Sequence, residues 1–591
     1  MSRDPRVPVR RQAVPRRDPR LAAQGPRRGP GVSQILVTIL FALFLIGTAG
    51  FVAAALGPEA SPSPRPSAPV ASVPAPPTTS GPGASDAPDP SATADAGASS
   101  GPSASPGPSG TPDPAATPGP PPSGADVMMP IVPVVGFWQQ DPGLSRGELV
   151  AALEGRSERY DRVLVPAADR DGIAAALGIA VAASVETAEP DAIRRELKDG
   201  GLGLLRAADV TPLVNALPLE GKRLFGNDRV ATNLDWPLVL PVNAADGAGW
   251  DQAKTFTVVA GGDSILDRGT YFHVVKKGKG LDYPFDGGTI EITGRYCCGW
   301  YTGLGRYDVP RYRQTGNEGV VRRLMQEADI SMINLENPVP DDWSFHLHGT
   351  PFSGKPALLE IFTRVGLDWA GLANNHMYDY GPDGIADTLK HLDRFEIAHA
   401  GAGMDLDEAR EYSVLDAGGG RVAILPCVTI TPIVWARAGR AGAMPCQDRQ
   451  LIPNIERAAQ EADAVIVFPS WGPEYTSQPQ DSQRQLARAW VEAGADVVVG
   501  FGHHMVAGME EIDEKLVFYS IGNFVFDQNW AEITMEGILP EMTFHAGAMV
   551  QVEMNPFLTI DQTQPNLLDP AGDGEVVLRR IRSTSEGWLA D

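Results

Sequence analysis

At 591 residues and a formal net charge of −24, the chain is long enough for several domains and acidic enough to repel nucleic acid and other polyanions unless divalent cations mediate the contact. Its four cysteines, with no CxxC among them, exclude a zinc ribbon and are few for a disulfide-dependent scaffold. Composition then divides the chain before any motif is needed. Residues 1–34 hold nine Arg and two Asp, many Pro and no apolar periodicity, and read as a basic, disordered tail. Ile35 to Leu56 runs for 22 residues without a charge, enough for one transmembrane helix. Ala53-Ala54-Ala55 offers a signal-peptidase site as the alternative, but the length of the apolar run favours a retained signal anchor. The positive-inside rule places the tail in the cytoplasm and the main domains outside, as in a single-pass cell-membrane protein. Residues 57–125, nearly all Pro, Ala, Ser, Gly and Thr, cannot bury a core and read as a disordered linker or stalk.

Residues 126–245 alternate short apolar runs, Ile131 to Phe137 and Arg162 to Pro166, with the helical pattern of Asp191 to Lys198, which predicts a small α/β domain. It holds no cluster of His, Cys or carboxylates. Tyr160, Asp161 and Asp169 read as solvated or capping residues, and the role of this domain is not legible.

From residue 255 one pattern recurs. A β-branched apolar run, Val258-Val259-Ala260, ends in Gly261-Gly262-Asp263; Ser331-Met332-Ile333 leads into Asn334-Leu335-Glu336; Trp369 to Ala373 leads into Asn374-Asn375-His376. Ala464 to Phe468 precedes Ser470-Trp471-Gly472, and Ala495 to Val499 precedes Gly500 to His504. Helical patterns lie between them, at Val320 to Ala328, Ile385 to Phe395 and Ser482 to Ala493. Five strand ends with polar residues predict one cleft at the carboxyl ends of parallel strands. Gly278-Lys279-Gly280 lacks the spacing of a phosphate loop, and Ser470 lacks the Gly-x-Ser-x-Gly context of a nucleophile.

Gly262-Asp263 through Arg268, Asn334-Leu335-Glu336-Asn337-Pro338, Leu372 to His376 with Asp379 and Gly381, Trp471 to Tyr475, and Tyr519 to Phe524 resemble, in order, the CapA family of capsule and poly-γ-glutamate biosynthesis proteins. That family is similar to the calcineurin-like metallophosphatases. The resemblance covers about residues 255–545. It implies that residues 255–591 form a four-layer α/β sandwich with two central sheets, preceded by the small α/β domain, the stalk and the membrane helix. It also implies a divalent metal, manganese, zinc or iron, as one or two ions held by Asp263, Glu336, Asn375 and His504. His376 would act at the scissile group and Arg268 would bind an anionic substrate group.

Two histidines of the family pattern are missing. Its His-Trp-Gly reads Ser470-Trp471-Gly472, and the first His of its His-x-His falls on Gly502, which puts a second ion in question. Neighbouring His503 and His504 point to opposite faces of an extended segment and cannot act as a pair. His346-Leu347-His348 has the alternate spacing to replace them, though a solvated loop fits it as well. Cys427 and Cys446 are expected partners; for Cys297 and Cys298, pairing elsewhere, a reduced state and metal binding stay open. Two functions follow. One is a metal-dependent hydrolase acting on an anionic exopolymer or its precursor, beside membrane-embedded synthesis partners; the other is a non-catalytic binding or assembly subunit with a degenerate metal site.

Overall fold

Side-chain alternation along the strands explains how the larger region is layered. Phe256, Val258 and Ala260 join one apolar cluster with Ile330, Met332 and Trp369, whereas Val259, Ile333 and Ala370 join a different one. The same period of two recurs where Val422, Ile424, Ile466, Phe468, Val497 and Val499 enter the first cluster while Ala423, Leu425, Val465, Val467 and Val498 enter a third. The first cluster is therefore the gap between two face-to-face sheets. The other two are the outer faces, covered by helices that supply Val321, Phe362 and Ile385 on one side and Leu451, Ile455, Ala487 and Trp490 on the other. The result is an α/β sandwich of helices, sheet, sheet and helices.

This computed structural model describes residues 126–243, 249–301 and 305–590. The expected basic tail, membrane span and linker lie outside the described residues. Among those described, no helix is long and apolar enough to cross a membrane.

One sheet has ten strands. Thr255–Ser264 lies at its heart, parallel to Ile330–Leu335, which is parallel in turn to Trp369–Gly371 and then Ala398–Ala400. On its other side Thr255–Ser264 pairs antiparallel with Glu536–His545, and its carboxyl end pairs with Asn523–Val525. The second sheet runs Ser413–Asp416, Arg421–Val428, Ala464–Ser470, Val497–Val499, Lys515–Phe518 and Met509–Ile512. The predicted helices are present at Val320–Glu327, Gly381–Arg394 and Asp481–Glu492. The Cys427–Cys446 disulfide forms as expected. Cys297 is also disulfide-bonded, which removes the reduced and metal-bound alternatives for it.

The amino-terminal region is built on Asp126–Gly136, a strand five residues longer at its start than its apolar run suggests. It pairs antiparallel with Leu202–Arg206, Val214–Ala216 and Val239–Asn243, and Val163–Val165 lies parallel to Leu202–Arg206. Two sequence expectations fail here. Tyr160 is buried and donates to Asp141 Oδ2 at 2.6 Å, and Asp169 is buried in a forked ion pair with Arg206, 2.7 Å at its shortest. Neither partner is near in sequence, so local residue type gave no warning. Asp161 is exposed, as expected. The region packs on the larger one: Trp250 stacks on His545 at 3.6 Å, Trp138 Nε1 donates to Leu589 O at 3.0 Å, and Asn227 N donates to Glu541 Oε1 at 2.6 Å.

Candidate metal centre

Asp263 is brought to the end of its strand by close backbone packing. A Cβ on Gly262 would lie 1.9 Å from Gly522 O, so only glycine lets this strand approach the segment that precedes Asn523. Asp263 and Glu336 are both fully buried, and Asn334 stands between them. Its Nδ2 donates to Asp263 Oδ1 at 2.9 Å and to Glu336 Oε2. The second oxygen of each carboxylate, Asp263 Oδ2 and Glu336 Oε1, is buried without a hydrogen bond. Burial, and then the Asp263 carboxylate, hold the Glu336 carboxyl well above the usual carboxylate range.

His504 closes the other side. It has φ +60°, and its Nδ1 donates to Asn523 Oδ1 at 2.9 Å while lying 3.2 Å from Asp263 Oδ2. Burial works against its charge, but Asp263 outweighs it and holds the imidazole above its ordinary value. Asn523 is fixed in turn, since its Nδ2 donates to Thr534 O at 2.9 Å. His503 points away as expected, although not by strand alternation, since the two histidines sit in a bend and not on a strand. Its Nδ1 donates to Thr476 O at 2.6 Å and its Nε2 accepts from Gln483 at 3.0 Å; burial pushes its pKa down to about 4, so it is a neutral structural residue.

The Asn374-Asn375-His376 turn is tied to this group through Asn374. Asn374 Nδ2 donates to Asn334 Oδ1 at 3.0 Å and Leu335 O at 2.8 Å, while its Oδ1 accepts from His376 N at 3.1 Å and Met377 N at 3.0 Å. With Asn374 consumed in holding the turn, half-buried Asn375 carries the amide left for another ligand. His376 Nδ1 donates to Asp379 Oδ2 at 2.9 Å, and the ring stacks on Phe352 at 3.9 Å. Arg268 lies over Phe352, its guanidinium carbon 4.0 Å from the ring centre. That guanidinium is buried, bonded to Asp527 Oδ1 at 3.2 Å and to Gly349 O, with only Nε unpaired. In this arrangement Arg268 supports the loop that carries Phe352 instead of presenting its fork to the cleft.

The structure thus brings Asp263, Glu336 and His504 together and links the turn of Asn375 and His376 to them through Asn374 and Asn334. Arg268 stands apart, beyond Phe352. His346 is not a replacement ligand: its Nδ1 is bound to Asp267 Oδ2 at 2.5 Å, and His348 is exposed. Asn334 and Phe352 are the site residues that sequence reasoning passed over. Asn334 was detectable, as the first residue of the Asn-Leu-Glu strand end, whereas Phe352 belongs to a loop with no pattern of its own.

Among the described residues no group of three or more His, Cys, Asp or Glu is arranged to hold a metal ion. The donors that do converge, Glu336 Oε1, Asp263 Oδ2 with His504 Nδ1 3.2 Å away, and the His504 imidazole itself, suit one hard or borderline divalent cation in charge and type. A second ion does not fit in the same way. A Cβ on Gly502, φ +92°, would lie 3.0 Å from Ser470 Oγ, which is itself buried and unbonded, so the two positions lacking histidine adjoin each other and offer one hydroxyl.

Residues 257–528 match the family model described as bacterial capsule synthesis protein PGA_cap. A Bacillus subtilis protein named PGA biosynthesis protein CapA is 32% identical over 301 residues, 49% of this chain and 78% of that one. Capsule biosynthesis protein CapA of Bacillus anthracis is 29% identical over 304 residues, 48% of this chain and 72% of that one. A Mycobacterium tuberculosis protein named "Probable polyglutamine synthesis accessory protein" is 27% identical over 361 residues, 56% of this chain and 89% of that one.

Proposed function

The chain belongs to the CapA family of bacterial capsule synthesis proteins, PGA_cap, and from that premise we propose that it serves capsule or poly-γ-glutamate exopolymer biosynthesis as a single-ion, metallophosphatase-like hydrolase. Its substrate would be an anionic exopolymer or precursor, cleaved at a phosphoryl, peptidyl or γ-glutamyl bond. The protein would be anchored through residues 35–56, with its main domains outside the cell and membrane-embedded synthesis proteins as partners. The observation that carries the reading is the pair of buried carboxylates of Asp263 and Glu336 where the strand ends meet, each with one oxygen that accepts no hydrogen bond. Asp263 Oδ2 has an ion pair with His504 Nδ1, 3.2 Å away, and Glu336 Oε1 has no hydrogen-bond donor; burying two such carboxylates side by side is costly, and a cation between them would relieve both.

Asp263, Glu336, Asn375 and His504 would hold that cation, which when bound polarises the oxygen of the scissile group and favours ionisation of water. The other groups act on protons and position. Asp379 accepts from His376 Nδ1 and so fixes the tautomer, leaving Nε2 as the nitrogen that hands a proton or hydrogen bond to the scissile group. Phe352 holds the imidazole plane by stacking. Arg268 would reach a substrate anion only by giving up Gly349 O or Asp527.

Metal content of the purified full-length chain after chelation and reconstitution with manganese, zinc or iron tests this, with hydrolysis assayed alongside. Bound metal with turnover lost in Asp263→Ala and His376→Ala is the expected result. No metal retained from any of the three refutes it. The second reading, a non-catalytic polymer-binding or assembly subunit, is favoured by Ser470 and Gly502 standing together where histidines would strengthen the site. It predicts weak metal binding and no turnover.

A further inference from the structure

Away from the candidate metal centre, the strand Asp126–Gly136 leaves its sheet and runs straight into Phe137 and Trp138, which dock against the carboxyl-terminal turn Gly587–Leu589. Phe137 meets Trp138 edge-on at 4.7 Å and Trp588 edge-on at 5.7 Å. Both indole N–H groups are engaged, Trp138 with Leu589 O at 3.0 Å and Trp588 with Glu511 Oε2 at 3.1 Å. Their polar edges are therefore satisfied by protein, and their rings are left to serve as apolar wall.

These three rings line a cavity of about 270 Å³. Arg195 and Lys198, from the segment 190–199, line it, and so does Glu514, from the turn joining the strands Met509–Ile512 and Lys515–Phe518. Arg194 and Glu511 line it too, but Arg194 is committed to Asp191 and to Asp209 O, and the Glu511 carboxylate accepts from Glu514 N and Trp588 Nε1. Arg195, Lys198 and Glu514 are exposed and take part in none of the ion pairs found among the described residues, in a chain whose 73 Asp and Glu outnumber its 49 Lys and Arg. The bland reading is three solvated surface charges. Against it stands their placement around one aromatic-walled cavity, with both signs present and neither neutralising the other.

We propose that this cavity is a binding site for a zwitterionic amino acid or short peptide. The ligand carboxylate would be held by Arg195 and Lys198, its ammonium by Glu514 and the face of an indole, and its apolar part by Phe137, Trp138 and Trp588. A volume of about 270 Å³ takes one or two residues, not a folded partner or a long polymer. The site is independent of the metal centre and stands or falls separately from it.

The test is calorimetric titration of the full-length chain with glutamate of either hand and with glutamyl-lysine. The same probes in N-acetylated and carboxyl-amidated form serve as controls, at low and high salt. At least one free probe should bind, at least tenfold more tightly than both its blocked forms, with affinity falling as salt rises. Arg195→Ala with Lys198→Ala, and separately Glu514→Gln, should each weaken it tenfold or more at unchanged melting temperature, and chelation of metal should leave it intact. No heat with any probe overturns the proposal, as do equal affinity for the N-acetylated form, which would mark a plain anion site, and binding unaffected by these substitutions.

Discussion

Replacing Asn374 by alanine tests whether the turn and the metal centre are one unit. The side chain is fully buried and makes four hydrogen bonds: two donated, to Asn334 Oδ1 and Leu335 O, and two accepted, from His376 N and Met377 N. Alanine leaves four partners without this mate, three of them buried. At about 1 kcal/mol net for each bond, the loss is about 4 kcal/mol. With an unfolding entropy of about 2.1 cal/mol/K per residue over roughly 340 residues, this corresponds to a fall in melting temperature of about 6 °C. The assay is thermal melting combined with amide hydrogen exchange. Exchange should quicken at His376 and Met377, and metal affinity should drop because Asn334 is no longer held between Asp263 and Glu336. Asn374→Asp keeps the acceptor for both N–H groups and should preserve slow exchange there, while still damaging the link to Asn334 and Leu335. A melting temperature within 1 °C of the parent, with unchanged exchange and metal affinity, would refute the reasoning.

Glu336→Gln in chelator should raise the melting temperature, because it removes one of two buried, adjacent carboxylates, and should abolish the added stability conferred by metal; a lower melting temperature without metal contradicts this. Burial pushes His545 down to about 4 from 6.5, so its contribution is complete above about pH 6.5 and is lost as pH falls towards 4; His545→Phe, which keeps the stack on Trp250, should flatten that acid limb in pH-dependent unfolding. Burial, and then Glu553, raise Glu541 to about 7 from 4.5, so its contribution is complete below about 4.5 and is lost as pH rises through 7; Glu541→Gln should therefore gain stability over the parent at pH 8. Removing the Cys427–Cys446 bond, which spans 19 residues, should cost about 3 kcal/mol in urea unfolding, and a change below about 0.5 kcal/mol would contradict that.

The strand ends were readable in advance because the physical signal is local: a β-branched run followed by a polar cluster occupies a few consecutive positions. The divergence of His503 and His504 was expected from strand alternation, but it arises in a bend with His504 at φ +60°, so the outcome holds and the reason does not. Asn374 and Asn375 show where that kind of reading stops. They are chemically identical neighbours, and only the position of Asn334, forty residues earlier, decides which one holds the turn. Arg268 teaches the same lesson, since its guanidinium is claimed by Asp527, 259 residues later, and by a loop that carries no pattern. The amino-terminal region was legible as α/β from periodicity, but the burial of Asp169 depends on Arg206, a partner that residue type cannot announce.

The pairing of Thr255–Ser264 has a consequence for how the protein comes to be made. Its antiparallel neighbour is Glu536–His545, so Thr255 and His545 meet across 290 residues. At synthesis rates of about 5–20 residues per second, the strand bearing Asp263 waits about 15–60 s with one edge unpaired. The amino-terminal region waits as well, because Asn227 and Trp250 find their partners on that same late strand. The nascent chain therefore carries its central strand with one edge open until that late strand is made, and truncations beyond residue 528, although they spare the whole family match, should leave a chain that aggregates instead of folding.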